Sequence, residues 1–324
     1  MNISSLALRA ALLLSAMVPA LAVSDTYPTQ SIRMVVPYAP GGASDVLARL
    51  LASSADAQLG QRIVVENRAG GASVVGTGVV ASAPANGYTL GLVDSAFLIN
   101  PALMGNKLPY DAEKDFRGVV LVATAPVVLT VNKDVKANSV AELIALAKAN
   151  PGQLNFSSAG NGTALHLAGE VFKLATGTNI VHVPYKGGAP SVMAVVAGET
   201  QVNFSAPSTV APHIQSGRLR PLAVTGSHRL ASLPDVPTFG EIGISNVDAV
   251  ISFGIIAPKG VPDSVVNKLS AVFNEQLASE PIRQKIIGLG FGSAGGTPAE
   301  YNKYIEGEIA RWKTVVRDAN VKVE

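Results

Sequence analysis

The chain has 324 residues, 48% of them hydrophobic, with 25 lysines and arginines against 23 aspartates and glutamates and no cysteine. That length suits about two domains of ~150 residues, each able to bury a core without a disulfide or a metal. The balanced charge and the 5% aromatic content exclude a nucleic-acid or membrane steering field and a basic–aromatic track for single strands; the missing cysteine excludes a lipobox, a redox dithiol and a thiolate zinc site.

Residues 1–22 read as a secretory signal peptide. Arg9 supplies the positive start, Ala10 to Val18 is an apolar core too short to span a bilayer, and Ala20-Leu21-Ala22 is a small-x-small cleavage site. A short membrane anchor is the alternative. Cleavage after Ala22 leaves 24 basic and 23 acidic residues. No later stretch reaches ~18 uninterrupted apolar residues, so a secreted, soluble chain that is not a lipoprotein is expected.

Ile32, Met34, Val35 and Val36 read as a buried strand, broken by Pro37, Pro40, Gly41 and Gly42. A helical face then begins with Val46, Leu47, Leu50 and Leu51. A strand, a glycine turn and a helix start leave backbone N–H groups without partners and add the positive end of a dipole, which is an anion-binding arrangement. Gln61 to Glu66 predicts a second strand, Asn67 to Ser73 a loop, Val74 to Ser82 a small-residue helix and Tyr88 to Val93 a third strand. The repeat argues a parallel sheet with covering helices. Asn100 to Asp115 is polar and proline-broken and reads as irregular. Val119 to Val131, interrupted by Pro126, is longer than an ordinary strand and fits one that crosses between domains.

Ser139-Val-Ala-Glu142 is a capping box that opens a helix ending at Pro151. Leu154 to Ser157 predicts a strand, followed by Ser158-Ala-Gly-Asn-Gly-Thr163 and a helix start, a second copy of the strand, glycine loop and helix. Ile180 to Val183 is a strand into Pro184-Tyr185-Lys186-Gly187-Gly188, and Pro190 to Ala197 a helix. Val202 to Phe204, Leu219 to Thr225 and Ser252 to Ala257 are strands. Pro262 to Leu277 is a helix, and Thr297-Pro298-Ala299-Glu300 caps a closing helix to about Val316. The expectation is an α/β protein of two lobes. One is 23–125 plus 226–324 and the other is 126–225. Each carries a glycine loop at a strand's carboxyl end, the edge where open α/β sheets bind ligands.

The order of these stretches resembles the periplasmic solute receptors of tripartite tricarboxylate transporters, the Bug proteins. The matching stretches are Tyr38 to Arg49, Glu66 to Gly71, Asn86 to Leu90, Ser158 to His166, His182 to Gly187, Leu222 to Thr225 and Leu233 to Thr238. They span about Tyr27 to the C-terminus. The resemblance implies a two-lobed periplasmic binding protein of type II-like, Venus-flytrap form. Such a receptor is a monomer that captures a small carboxylated solute in its interlobe cleft and delivers it to membrane permease subunits. The alternatives are a ligand sensor that presents its solute to a membrane kinase and, more remotely, a secreted hydrolase. The resemblance centres the ligand shell on the loops holding Tyr38, Gly41, Gly42, Ala43, Ser44 and Asp45, and Ser158, Ala159, Gly160, Gly162 and Thr163. Many members carry an aspartate after the phenylalanine of the fourth strand of the second lobe. This chain has Phe204-Ser205 there, which favours a plain carboxylate over an amino acid.

Each candidate also has a plainer role. Gly41 and Gly42 are amide donors or turn formers, and Ser44 and Asp45 are ligand contacts or first-turn dipole partners. Tyr38 covers a ligand or packs loop against lobe. Arg49 is expected to pair with an acid, His166 is a contact or a neutral buried histidine, and Lys186 is a solvated lysine or a carboxylate partner. Ser73, Ser95, Tyr185 and Ser205 end strands or loops near the expected cleft. Gly76-Thr-Gly78-Val-Val-Ala81 fits a dinucleotide fingerprint poorly, since it follows a glycine loop and not a strand. There is no Gly-x-Ser-x-Gly elbow, and His166, His182, His213 and His228 have no metal spacing. No catalytic residue, metal, cofactor or nucleic-acid partner is expected.

Overall fold

The computed structural model describes residues 27–318 apart from 246 and 248; the expected signal peptide lies outside the described residues. The first sheet begins with β1 (Ile32–Val36), then α1 (Ala43–Leu59), β2 (Ile63–Asn67), α2 (Val74–Ala81), β3 (Thr89–Asp94), α3 (Ser95–Met104) and β4 (Phe116–Pro126). The chain then builds a second sheet from β5 (Val128–Asn132), α4 (Val140–Ala149), β6 (Asn155–Ser158), α5 (Ala164–Thr176), β7 (Val181–Pro184), α6 (Gly188–Ala197), β8 (Val202–Ser205), α7 (Pro207–Gln215) and β9 (Leu219–Val224). It returns through β10 (Val250–Pro258) and closes with α8 (Asp263–Ala278), α9 (Glu280–Gly288), β11 (Gly292–Ser293) and α10 (Pro298–Asp318).

The strand order is β11-β4-β10-β3-β1-β2 in one sheet and β7-β6-β8-β5-β9 in the other. The βαβ parts are parallel, as the alternation predicts: β1 with β2 and β3, and β6 with β7 and β8. The strands that carry the chain between sheets are antiparallel to their neighbours, β10 between β3 and β4, and β5 between β8 and β9. An all-parallel sheet is thus not what forms, because a strand returning from a second lobe enters from the opposite end.

The apolar run around Pro126 divides into β4 and β5, with Val127 at the crossing. One buried threonine ties the two crossings together. Thr225 Oγ1 accepts from the Val127 N–H at 2.8 Å and donates to the Ala249 carbonyl at 2.6 Å, while the Thr225 N–H donates to the Val127 carbonyl at 2.9 Å. Between β9 and β10, Val236 with Leu230 and Leu233 packs against Val128, Val192 and Val224 of the second sheet.

Three helices escape the periodicity. Asn100 to Met104 belongs to α3, whose N-cap Asp94 accepts from the Ala96 N–H and which tolerates Pro101 inside it. Helix α7 opens on Pro207 at its first turn and also contains Pro212. Helix α9 follows α8 after Ser279 alone. The boundary of α6 also moves: it starts at Gly188, before Pro190. The capping box at Thr297 forms in full, with Glu300 Oε2 accepting from the Thr297 N–H at 2.7 Å and Thr297 Oγ1 accepting from the Glu300 N–H at 3.2 Å.

That last helix lies on the first sheet through Tyr301, whose buried ring rests on Gly118 of β4 and Gly254 of β10. A Cβ on Gly254 would run into the Tyr301 ring and hydroxyl. Gly254→Ala is expected to cost about 3 kcal/mol of unfolding free energy, the upper range for overpacking a filled core. Urea denaturation of Gly254→Ala, Tyr301→Ala and the double variant checks it: the double variant should cost clearly less than the sum of the two. A neutral Gly254→Ala would mean that the ring has somewhere else to go.

Candidate functional site

The two lobes meet where α1 and α6 begin. Helix α1 has Gly42 as its N-cap and α6 has Gly187, and neither receives a side-chain cap. The first intrahelical bonds run from the Val46 N–H to the Gly42 carbonyl and from the Ser191 N–H to the Gly187 carbonyl. The amides of Ala43, Ser44 and Asp45, and those of Gly188 and Ala189, therefore have no acceptor within their helices. The two helix ends face each other. A Cβ built on Gly42 would stand 3.7 Å from the amide nitrogens of both Gly188 and Ala189. Next to this seam the Ala39 N–H donates across to the Lys186 carbonyl at 3.0 Å, so the lobes are drawn together. Gly187 sits there at φ 140°, and its Cβ position is 3.3 Å from the Ala39 nitrogen, a contact only glycine allows without adjustment.

Between the lobes lies a narrow cavity, partly open to solvent, with about 30 Å³ of room for the centre of a water molecule. Tyr38, Gly42, Ala43 and Ser44 form one wall, Ala159, Gly188, Ser205 and Thr209 the opposite one, and Leu165, Ile251 and Phe253 give apolar surface. The hydroxyl oxygens of Ser205 and Thr209 are buried and have no hydrogen-bond partner among the described residues. Both stand at the start of α6, 3.8 Å and 3.7 Å from the Cβ position of Gly188. Native proteins rarely leave buried hydroxyls unsatisfied. Two of them beside two uncapped helix starts make a pocket whose donors lack an acceptor, which is what an anion supplies.

Asp94 faces the same cavity. Its Oδ1 accepts from the Tyr38 hydroxyl at 2.8 Å and from the Ala96 N–H at 3.0 Å. Burial pushes its carboxyl up to about 6, against the opposing pull of the Tyr38 hydroxyl and the amides of Ala96 and its own residue. The Tyr38 phenol is driven well above its ordinary range by burial and by the neighbouring Asp94.

Of the sequence candidates, Tyr38, Gly42, Ala43, Ser44, Ala159 and Ser205 come together around this cavity. Gly160 and Tyr185 line an adjoining outer recess with Gly70, Gly71 and Lys186. The others are engaged elsewhere. The Gly41 N–H donates to Asp45 Oδ2 at 2.9 Å, so it is not free for a ligand. Asp45 also receives Arg49 and Asn67, and Arg49 thus pairs with an acid as expected. Burial alone would raise the Asp45 carboxyl, but the bonds from Arg49, Gly41 and Asn67 hold it below the usual range. Ser73 Oγ shares a buried contact with Thr77, and Ser95 Oγ is spent on Ser252 and Val250 of β10.

In the 158–163 loop, Ser158 Oγ bonds His182 Nε2 at 2.7 Å, and Thr163 Oγ1 donates to the Gly160 carbonyl and caps α5 by accepting from the His166 N–H. The Gly162 N–H donates to His166 Nδ1 at 3.2 Å. His166 is therefore a buried structural histidine, stacked on His182 with ring centres 4.1 Å apart. Burial holds it down to about 4, and burial together with His166 and Lys173 holds His182 down to about 3. The loop reaches the cavity at Ala159, beside Ala164 and Leu165 of the helix it opens, while the Gly160 and Gly162 amides are bonded within the loop and its helix. The amides that oppose α1 come from Gly188 and Ala189.

The sequence reading missed Gly188, Thr209 and Asp94. Gly187-Gly188 carried the signal of a strand, glycine and helix start, obscured by placing the helix start at Pro190. Asp94 had one too, an acid at a strand's carboxyl end. Thr209 had none, because α7 itself was not legible. Among the described residues no helix is long and apolar enough to cross a membrane, and no cluster of three potential metal ligands occurs.

Comparison with known proteins shows the family and the fold. Residues 47–321 match the model of a family described as tripartite tricarboxylate transporter family receptor. The protein BugT of Bordetella pertussis is 38% identical over 303 residues, 93% of each chain. The structure of Rhodopseudomonas palustris Rpa4515 with adipate superposes with a TM-score of 0.88 at 33% identity, over 91% of this chain and 99% of that one. MatC from the same organism, with bound malate, gives 0.85 at 27% identity over 90% and 100%. The chain belongs to the tripartite tricarboxylate transporter receptor family, the two-lobed periplasmic binding proteins that capture solutes.

Proposed function

We propose that this protein captures a small carboxylated organic solute in its interlobe cleft and delivers it to the membrane permease subunits of a tripartite tricarboxylate transporter. The observation that carries the reading is the pair of opposed, uncapped helix starts with two orphaned hydroxyls between them. A carboxylate there accepts from the amides of α1 on the first lobe and from the α6 amides, Ser205 and Thr209 on the second, so it favours the closed form. Neighbours of the same fold hold adipate and malate. The protein is read as a secreted monomer with residues 1–22 removed, binding without a cofactor and without catalysis. Its lobes are taken as 23–125 plus 226–324 and 126–225, with Leu230, Leu233 and Val236 packed against the second sheet.

Calorimetry on mature protein stripped of carried-over ligand tests this, with short dicarboxylates and monocarboxylates as titrants. Binding of at least one of them is expected, together with a rise in melting temperature. The paired variants Ser205→Ala and Thr209→Val should each weaken binding by about tenfold, the worth of one hydrogen bond to a charged group. They should leave the ligand-free protein as stable as before or slightly more so, because a buried unpartnered hydroxyl is removed. Loss of ligand-free stability with unchanged affinity would assign the hydroxyls to packing.

A further inference from the structure

Helix α6 supplies the second lobe's half of the anion pole, yet little in its own sequence holds it in place. Its residues are small or aliphatic, it carries no charge and Gly187 gives it no side-chain cap. Val192 and Val195 share an apolar cluster with Val128 and Val224 of the sheet beneath. Such contacts press a helix onto a sheet, but they are non-directional and do not fix it along its axis. Hydrogen bonds do, because they weaken steeply with distance and angle.

Two asparagines of the second sheet supply those bonds. Asn203 of β8 is fully buried, and its Nδ2 donates to Ser191 Oγ of α6 at 2.7 Å, to Ser157 Oγ of β6 at 2.9 Å and to the Ser157 carbonyl at 3.2 Å. Ser157 Oγ in turn donates to the Ser191 carbonyl at 3.0 Å. At the other end of the helix, Asn132 Nδ2 of β5 donates to the Val195 carbonyl at 2.6 Å, and Asn132 Oδ1 accepts from the Asp134 N–H at 2.9 Å. A helix rises ~1.5 Å per residue, so a slide by one residue would break the bonds at both ends. Neither asparagine lines the cavity, and neither do Ser157 and Ser191. Asn203 and Ser205 stand two residues apart on one face of β8. The first holds the helix, and the second lies 3.8 Å from the Cβ position of Gly188.

We propose that Asn203, acting through Ser157 and Ser191, is a positioning residue for ligand capture: it sets the height of α6 so that the Gly188 and Ala189 amides stand opposite the start of α1. This rests on the carboxylate reading above and adds what aims the amides. Ser191 belongs to the same first turn as both of them, so a displacement at Ser191 carries them with it. The seam leaves little slack, since a Cβ on Gly42 would already stand 3.7 Å from both nitrogens.

The test uses stripped, mature protein and the substitutions Ser191→Ala and Ser191→Thr, of which only the second keeps the hydroxyl. In the ligand-free protein, the amides of residues 191–193 should exchange with solvent at least about tenfold faster in Ser191→Ala and at the wild-type rate in Ser191→Thr. In calorimetry with short mono- and dicarboxylates, Ser191→Ala should bind about five- to tenfold more weakly, the worth of a displaced hydrogen bond, and Ser191→Thr as the wild type does. Melting temperatures should run the other way, with Ser191→Thr the lower, because its extra methyl overpacks a filled site. Asn203→Ala should lose at least as much affinity as Ser191→Ala, and the double variant no more than Asn203→Ala alone. Unchanged exchange at 191–193, affinities that follow the melting temperatures, or losses that add would overturn the proposal and leave the network as packing. A wild type that binds a carboxylate no better than Ser191→Ala does also overturns it, with the carboxylate reading intact. Failure of the wild type to bind any carboxylate overturns that reading, and with it the part of Asn203 in capture, whatever the exchange rates.

Discussion

Gly42→Val is expected to abolish ligand capture, with a loss of at least about 100-fold in affinity, while the protein folds and melts as before. The expected size follows from two or more charge-assisted hydrogen bonds at ~1.5–3 kcal/mol each. The backbone at Gly42 has φ −81°, a conformation any residue adopts, and a Cβ there meets nothing closer than 3.7 Å. The fold therefore has no need of glycine at this position. The branched side chain would project into the gap between the helix starts of α1 and α6, occupy the place of the anion and hold the lobes apart. Gly42→Ala is the control, since a methyl group makes only ordinary contact and should keep most of the affinity. Gly41 does not serve the same purpose. It sits at φ 84° with its N–H bound to Asp45, so a valine there strains the turn whatever the ligand does. Calorimetry and thermal melts on the two Gly42 variants separate the possibilities. Wild-type affinity in Gly42→Val would remove the proposed anion pole.

Mild acid should destabilise this protein through His166 and His182. Their ordinary value is 6.5, and in the folded chain they are held to about 4 and about 3, chiefly by burial. A base whose folded value is depressed stays neutral while the unfolded chain takes up its proton. Stability is thus complete above pH 6.5 and is lost progressively as pH falls from there toward 4 and 3. Asp94 works in the opposite sense, since its raised value penalises the folded state above about 6 and the penalty is relieved toward 3.8. Asp45, whose value is lowered, loses its contribution only below 3.8 and so titrates in a separate window. At about 1.4 kcal/mol per unit, discounted because the stacked imidazoles titrate together and because Asp94 opposes them, the net loss by pH 4 is about 3 kcal/mol. Urea denaturation from pH 7.5 down to pH 4 measures it. A double variant, His166→Gln with His182→Gln, should be weaker at pH 7.5 but much flatter below it. A wild-type profile flat between pH 6.5 and pH 4.5 would contradict the account. The loop from Ser158 to Gly162 hangs on these two rings, through Ser158 Oγ and the Gly162 N–H, so acid should also loosen one wall of the cleft.

Much of this architecture is local and was legible. Strand β1 followed by a glycine turn and α1, the repeat of that pattern at β6 and α5, the proline that parts β4 from β5 and the capping boxes at Ser139 and Thr297 all depend on neighbours within a few residues. Two of the three helices that were missed, α3 and α7, hold a proline inside them, at 101 and 212; α9 was hidden because it follows α8 after one residue. The second lobe and the packing of α3 against α10 supply what the prolines take away.

The roles inside the glycine loops were not legible, for a physical reason. Periodicity shows where a helix begins, but not whether its first N–H groups meet a side chain of the same loop or an empty gap. The Gly41 amide is claimed by Asp45 and the Gly162 amide by His166, whereas the amides of Gly188 and Ala189 remain open and come to face Gly42. That pairing joins positions nearly 150 residues apart through a crossing that Thr225 ties together. By itself the amino-acid sequence determined that this chain has two α/β lobes with glycine turns at their strand ends, because helix starts and strand runs are set by near neighbours. Only the tertiary structure decided which turns share the cavity, that Ser205 and Thr209 line it without a partner among the described residues, and that Asp94, the N-cap of α3, faces it. Burial and the direction of a side chain are properties of the packed chain as a whole.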